Sequence, residues 1–287
     1  MKIYGCADED WGGWKESEAY PWYELNFIDT QQVRDIILSK VSHDEKFSYI
    51  RIGDGPLGYI DDLTHRWHPK DEKIKSSFIE TFRKIEKFNE DDFMAGIPFD
   101  TPQMSGGLIS SIKVQHQCWN VVNKYFPKHR KYFAHNAPHW MLCCDLPSFV
   151  NFTEMISQKN VCVVGNEKFP AEVLKFLYGD RVSHIKVPYV NAFYSHQDLT
   201  RQVLESNDDI FLFAASFATY PVMVDVYEKI GNQKTMIDIG STIDPFVNYF
   251  ANVRNYAVTH SGKRGWWMSD YPDIAENYVK MRTNRAS

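Results

Sequence analysis

The chain has 287 residues, a net charge of −5 and a pI near 6.1, with 44% hydrophobic and 24% charged residues. That is enough for one large α/β domain or two small ones, with a composition ordinary for a soluble globular protein. It excludes a global basic field that would draw the chain to nucleic acid or an anionic membrane, and no apolar run is long enough to span a bilayer.

In chain order, Met1–Trp14 carries acids and glycines in place of an apolar core, which argues against a signal peptide. Six β-rich runs follow: Ser48–Ile52, Phe93–Ile97, Val161–Val164, His184–Val187, Ile210–Ala214 and Thr235–Ile239. Between them, helical spacing occupies Thr30–Val41, Glu72–Phe88, Gly107–Tyr125, Pro170–Tyr178, Gln197–Glu205 and Tyr220–Ile230. Strands alternating with helices imply βαβ units. The expected fold is α/β: a Rossmann-like, mainly parallel open sheet with helices on both faces. The run Ile210–Ala215 is apolar throughout, as a strand covered on both faces should be. No linker or repeat divides the chain, so 1–287 reads as a single domain, with 1–45 and 250–287 as peripheral extensions.

The five cysteines are odd in number and irregularly spaced, which disfavours a disulfide framework and fits a reducing, cytoplasmic setting. Lys124, Lys128, Arg130 and Lys131 form a short basic cluster, read as solvated surface. His65/His68 and His135/His139 have helical spacings, but Pro138 interrupts the second pair. No Cys or acid completes a zinc set, so core or surface histidines are expected.

In parallel sheets the ligand sits beyond the carboxyl ends of the strands. The loops there are rich in Gly, Ser, Thr, Asn and Asp. After the first run comes Arg51-Ile52-Gly53-Asp54-Gly55. Gly53 and Gly55 permit close approach of backbone to a ligand, and Arg51 can neutralise a phosphate. Asp54 can hold a metal against a diphosphate, bind a ribose hydroxyl or act as a base. Alternatively, Asp54 caps turn amides. The Gly53-x-Gly55-x-x-Gly58 pattern resembles a dinucleotide fingerprint. However, the region some 20 residues on, Trp67–Glu72, lacks the strand-end acid, so an NAD enzyme is disfavoured. Ser216 and Thr219 follow an apolar strand and open a helical stretch, a place for a phosphate or simply an N-cap. Asp238, at the last strand's end, and Asp244 beyond it are candidates for a ribose or sugar hydroxyl or for satisfying turn amides.

Taken together these loops resemble the glycosyltransferases of the GT-D fold, a Rossmann-like bacterial group acting on surface and protein-linked glycans. The R-F-G-D-G-E-like loop of that family is similar to Arg51–Pro56, and its N-A-F segment to Asn191-Ala192-Phe193. Its Gly/Glu strand end is similar to Val163–Lys168, its A-L-G-P-T-A-T loop to Ala214–Thr219, and its D-I-G segment to Asp238–Gly240. The ordered matches run from about residue 48 to 246. Two departures stand out. The family's Asp-x-Glu pair becomes Asp54 and Pro56, and its Gly-Pro-Thr becomes Ser216-Phe217-Ala218, where Phe217 can reshape a nucleotide pocket.

The resemblance implies a glycosyltransferase that moves a sugar from a nucleotide-diphosphate donor to a glycan or glycoprotein. Asp54 and Arg51 would be catalytic, and Gly53, Gly55, Glu167, Lys168, Asn191, Ser216, Thr219, Asp238 and Asp244 would bind substrate. A divalent metal (Mn or Mg) would rest on Asp54. One carboxylate supplies too few oxygens for such an ion, so Asp61, Asp62, Asp244 or Glu167 would have to join it, or Lys and Arg would replace the metal. Two other readings stay open. The Lys263-Arg264-Gly265-Trp266-Trp267 segment suits a DNA acceptor with a hydroxymethylated base, its cations on phosphates and its indoles on a flipped base. The loss of the acid at Pro56 suits a non-catalytic nucleotide- or glycan-binding protein.

Overall fold

The computed structural model describes residues 25–61, 70–98, 120–251 and 271–286. Eight strands form one sheet: β1 (Asn26–Ile28), β2 (Ser48–Arg51), β3 (Phe93–Ile97), β4 (Lys131–Ala134), β5 (Val161–Asn166), β6 (Ser183–Val187), β7 (Ile210–Ala214) and β8 (Thr235–Asp238). Their order is β1-β4-β3-β2-β8-β7-β5-β6, and every pairing is parallel. The six expected strands are present. β1 and β4 were not expected: β1 has three residues, and β4 follows directly on the basic cluster.

Successive strand residues point to opposite faces. Ile50, Cys162, Val164, Phe211, Phe213 and Met236 enter one apolar core; Tyr49, Val161, Val163, Ile210, Leu212 and Ile237 enter the other. Among the described residues these helices cover the faces: α1 (Thr30–Ser42), α2 (Asp54–Ile60), α3 (Glu72–Ile85), α4 (Ala137–Cys144), α5 (Leu146–Ser157), α6 (Ala171–Tyr178), α7 (His196–Glu205), α8 (Thr219–Ile230), α9 (Asp244–Ala251) and α10 (Tyr271–Ala286). Helices α2, α3, α7 and α8 supply the first core; α1, α4, α5, α6, α9 and α10 supply the second. Sequence dictates the docking of each. In α3, Ile74, Phe78, Phe82 and Ile85 recur at helical spacing and are buried, while Asp71 caps the first turn by accepting from Lys73 N.

Two expectations change. Residues 26–42 and 271–286 belong to the core rather than the periphery: β1 pairs with β4, Val33 and Ile37 are fully buried in α1, and so is Tyr278 in α10. Arg130 is not solvated surface. It is buried, donating from Nη1 to Phe88 O (2.9 Å) and from Nη2 to Phe93 O (3.1 Å), carbonyls just before and at the start of β3. Most of the expected Gly107–Tyr125 helix lies outside the described residues, of which 120–125 are helical. None of the described helices is long and apolar enough to cross a membrane.

The chain leaves β2 toward β3 on one side and leaves neighbouring β8 toward α9 and the opposite half of the sheet. Connections that diverge in this way open a crevice at the carboxyl ends of β2 and β8, the place where open α/β sheets bind ligands.

Candidate functional site

The stretch read as a Gly-Asp-Gly loop is the start of a helix. Gly53 is the extended N-cap of α2, Asp54 its first residue, and Gly55 and Pro56 complete the first turn. Proline is tolerated there because first-turn N–H groups have no partner within the helix. Pro56 is buried, so it closes the turn against the core.

Arg51, the last residue of β2, organises the crevice. Its Nε donates to His135 O at 2.7 Å, and its backbone N–H donates to Asp238 Oδ2 at 3.2 Å. The terminal nitrogens have no hydrogen-bonded or ion-paired partner among the described residues. Two glycines vacate the space this arrangement needs. A Cβ on Gly240, which has φ +52°, would stand 1.9 Å from Arg51 Nη1 and 3.2 Å from His139 Cε1. A Cβ on Gly96 in β3 would stand 2.9 Å from His135 Cα, whereas one on Gly53 would meet His135 Cδ2 at an ordinary 3.6 Å. Side-chain-free positions on two segments thus admit one guanidinium and one imidazole.

Both histidines of the pair set aside as ordinary core or surface residues lie here. His139 Nε2 is 3.1 Å from Ser241 Oγ. Burial first, and the Arg51 charge second, push His135 and His139 well below the ordinary histidine range, so both are neutral beside a fixed cation. Their proximity to Arg51 depends on a contact spanning 84 residues, which local spacing cannot reveal.

Asp238 is turned inward and buried, so it is not an open contact for ribose or sugar. Its Oδ2 accepts Arg51 N–H and its Oδ1 accepts Gly240 N–H at 2.9 Å, tying the ends of β2 and β8 together. Burial raises it to about 6, opposed by the Arg51 charge and the two amides. The turn-amide alternative is therefore what the geometry contains.

The β7 end differs from expectation in detail. Ser216–Ala218 form a 3-10 turn running into α8, so the helical segment begins at Ser216, and Thr219 is buried. Ser216 is exposed with φ +52°, a left-handed conformation unusual outside glycine. Phe217 does not reshape a pocket. Its ring packs edge-on against Phe78 (4.9 Å between centroids) and Tyr59 (5.4 Å) in the core.

Beyond β5, Glu167 and Lys168 are exposed. Glu167 Oε1 accepts Tyr189 N–H at 3.4 Å, and Lys168 Nζ lies 4.2 Å from the centre of the Tyr189 ring. Asn191 is exposed at φ +58°, past the edge strand β6. It caps a 3-10 turn (Ala192–Ser195) that packs on the Ser216–Ala218 turn, so Asn191 belongs with Ser216 at the β7 end, while Arg51 and Gly53 stand at the β2 end.

Two of the carboxylates suggested as partners of Asp54 are set apart from it along the fold. Asp61 is seven residues further along α2, about 10 Å of helix. Glu167 is three strands away, about 14 Å. No group of three or more His, Cys, Asp or Glu able to hold a metal occurs among the described residues. Asp62 and the Lys263–Trp267 segment lie outside the described residues.

Asp244 opens α9, buried, and burial alone pushes it up from 3.8 to about 8. A raised carboxyl pKa means the folded protein holds the proton more tightly than the unfolded chain. This contribution is complete below about pH 4 and is lost as pH rises to about 8, at about 1.4 kcal/mol per pH unit. Asp244→Asn is expected to flatten that slope and to be more stable than the parent above pH 8. Urea denaturation at pH 5 and 8.5 checks it, and an unchanged slope in the variant would assign the pH dependence elsewhere.

No family model matches the sequence, and no curated protein matches it. Solved structures do share the architecture. A glycosyltransferase (DUF1792) from Streptococcus sanguinis matches with a TM-score of 0.61 at 17% identity, over 87% of this chain and 92% of its own. A selenomethionine-substituted domain of unknown function 1792 matches with a TM-score of 0.61 at 14% identity, over 93% and 97%. A further structure of domain 1792, described as a distinct glycosyltransferase fold, matches with a TM-score of 0.59 at 14% identity, over 90% and 92%. The chain therefore shares the Rossmann-like fold of these domain 1792 structures, with Arg51 at the crevice between its two central strands.

Proposed function

We propose that this protein is a nucleotide-sugar-dependent glycosyltransferase whose donor diphosphate lies on Arg51. The observation that carries the reading is the guanidinium itself. It is anchored through Nε and its backbone N–H, and its terminal nitrogens stay available at the crevice. A guanidinium fixed through Nε, with terminal nitrogens unbonded among the described residues, suits a diphosphate, which a planar fork of N–H donors grips bidentately.

In transfer, the acceptor hydroxyl oxygen attacks the anomeric carbon and the bond to the donor phosphate breaks. The electron pair leaves with the nucleoside diphosphate. Arg51 stabilises the charge growing on that leaving group, and because it is already in position no reorganisation opposes it. Asp54, at the start of α2, takes the acceptor proton. Ser216 and, further off, Lys168 contact the nucleotide half. The acceptor is a glycan or glycoprotein, by resemblance.

The test is donor turnover with a panel of nucleotide sugars, with and without Mn²⁺ or Mg²⁺, for the parent protein and Asp54→Ala. Turnover of at least one donor, lost in Asp54→Ala, is expected. Absence of turnover with every donor would favour the non-catalytic binding protein.

A further inference from the structure

The Arg51 anchor has a neighbour with no assigned task. The His135 ring is buried at 5% exposure, and its Nδ1 is sealed in the interior without a hydrogen-bond partner. The other nitrogen, Nε2, is not sealed, and no described residue bonds it. It lies on the Gly53 side of the ring, 3.9 Å from where a Cβ on that glycine would stand. Buried N–H groups are orphaned more rarely than acceptors, so the proton of this neutral ring belongs on Nε2 and the unshared pair on Nδ1. Asn or Ala at position 53 would cover this edge; glycine leaves it open.

Resting on the donor-site reading above, we infer that His135 is a second donor contact, giving an uncharged Nε2–H hydrogen bond to the diphosphate held by Arg51. The division of labour is chemical. Arg51 supplies charge, and its charge together with burial keeps His135 neutral, so that His135 adds a directed N–H without a second buried cation. Among the described residues, Arg51 acts on the His135 ring, Arg51 and His135 act on His139, and the Asp238 carboxyl faces Arg51.

The experiment is calorimetric titration of the full chain with inorganic pyrophosphate. The parent is expected to bind. His135→Phe is expected to weaken binding about 10- to 100-fold, the range for a hydrogen bond to a charged group. The Arg51 anchor survives this change, because it is the backbone carbonyl of residue 135. His135→Gln, whose amide reaches the Nε2 position, is expected to restore most of the affinity, and His135→Asn, one bond shorter, is not. If the Phe variant does not fold, the Gln/Asn pair carries the same comparison. Parent-like affinity in His135→Phe, or equal affinity of the Gln and Asn variants, would overturn the histidine contact alone. Failure of the parent to bind pyrophosphate would overturn the donor-site reading and this contact with it.

Discussion

Replacing Arg51 with Met is expected to lower sugar transfer by about 10²–10³-fold, the usual loss for one preorganised transition-state donor. The loss should fall mainly on kcat, since charge builds on the leaving diphosphate as the bond breaks. Arg51→Lys should recover little. The Nε of arginine is committed to His135 O while its outer nitrogens have no bonded partner among the described residues, a fork that a single ammonium cannot reproduce. Steady-state kinetics on the three proteins checks this. Near-parental kcat in Arg51→Met would remove Arg51 from the mechanism.

Gly240→Ala is expected to displace the Arg51 guanidinium. A non-glycine residue at φ +52° is disfavoured by about 1–2 kcal/mol. The clash decides the functional outcome. With the new Cβ 1.9 Å from Nη1 and 3.1 Å from Cζ, the guanidinium must leave its place. Transfer should then fall about as far as in Arg51→Met. Gly231→Ala is the control, because Gly231 also has positive φ (+57°) but nothing lies within 4 Å of its added Cβ. It should lose stability and keep its activity. Equal activity of the two alanine variants would show that Gly240 does not position Arg51.

Much of the sheet was legible because its strands are short continuous apolar runs, buried on both faces, separated by helical spacing. β1 and β4 escaped notice for physical reasons. Asn26-Phe27-Ile28 is too short to show a period, and Lys131-Tyr132-Phe133-Ala134 is masked by its basic approach. Pro138 reads as a breaker, yet it sits in the first turn of a helix, where a missing N–H costs nothing. Gly53 and Gly55 made a loop of a stretch that opens α2.

At the site, sequence located the strand ends but not the direction of side chains. Arg51 and Gly53 stand at the β2 end, and Ser216 stands exposed at the β7 end. Asp238 and Thr219 turn inward, and Phe217 belongs to the aromatic core. His135 was undervalued because its chemistry comes from tertiary packing: a glycine at 96 lets its backbone approach β3, a glycine at 53 leaves its ring edge open, and Arg51 lies alongside. None of those relations has a local signature.

The central claim, that the donor diphosphate rests on Arg51 between β2 and β8, is tested most directly by a crystal structure with a nucleoside diphosphate bound. Phosphate oxygens about 2.7–2.9 Å from the terminal nitrogens of Arg51, beside Gly53 and His135, are the predicted result. A diphosphate bound elsewhere, with Arg51 still unengaged, would contradict it.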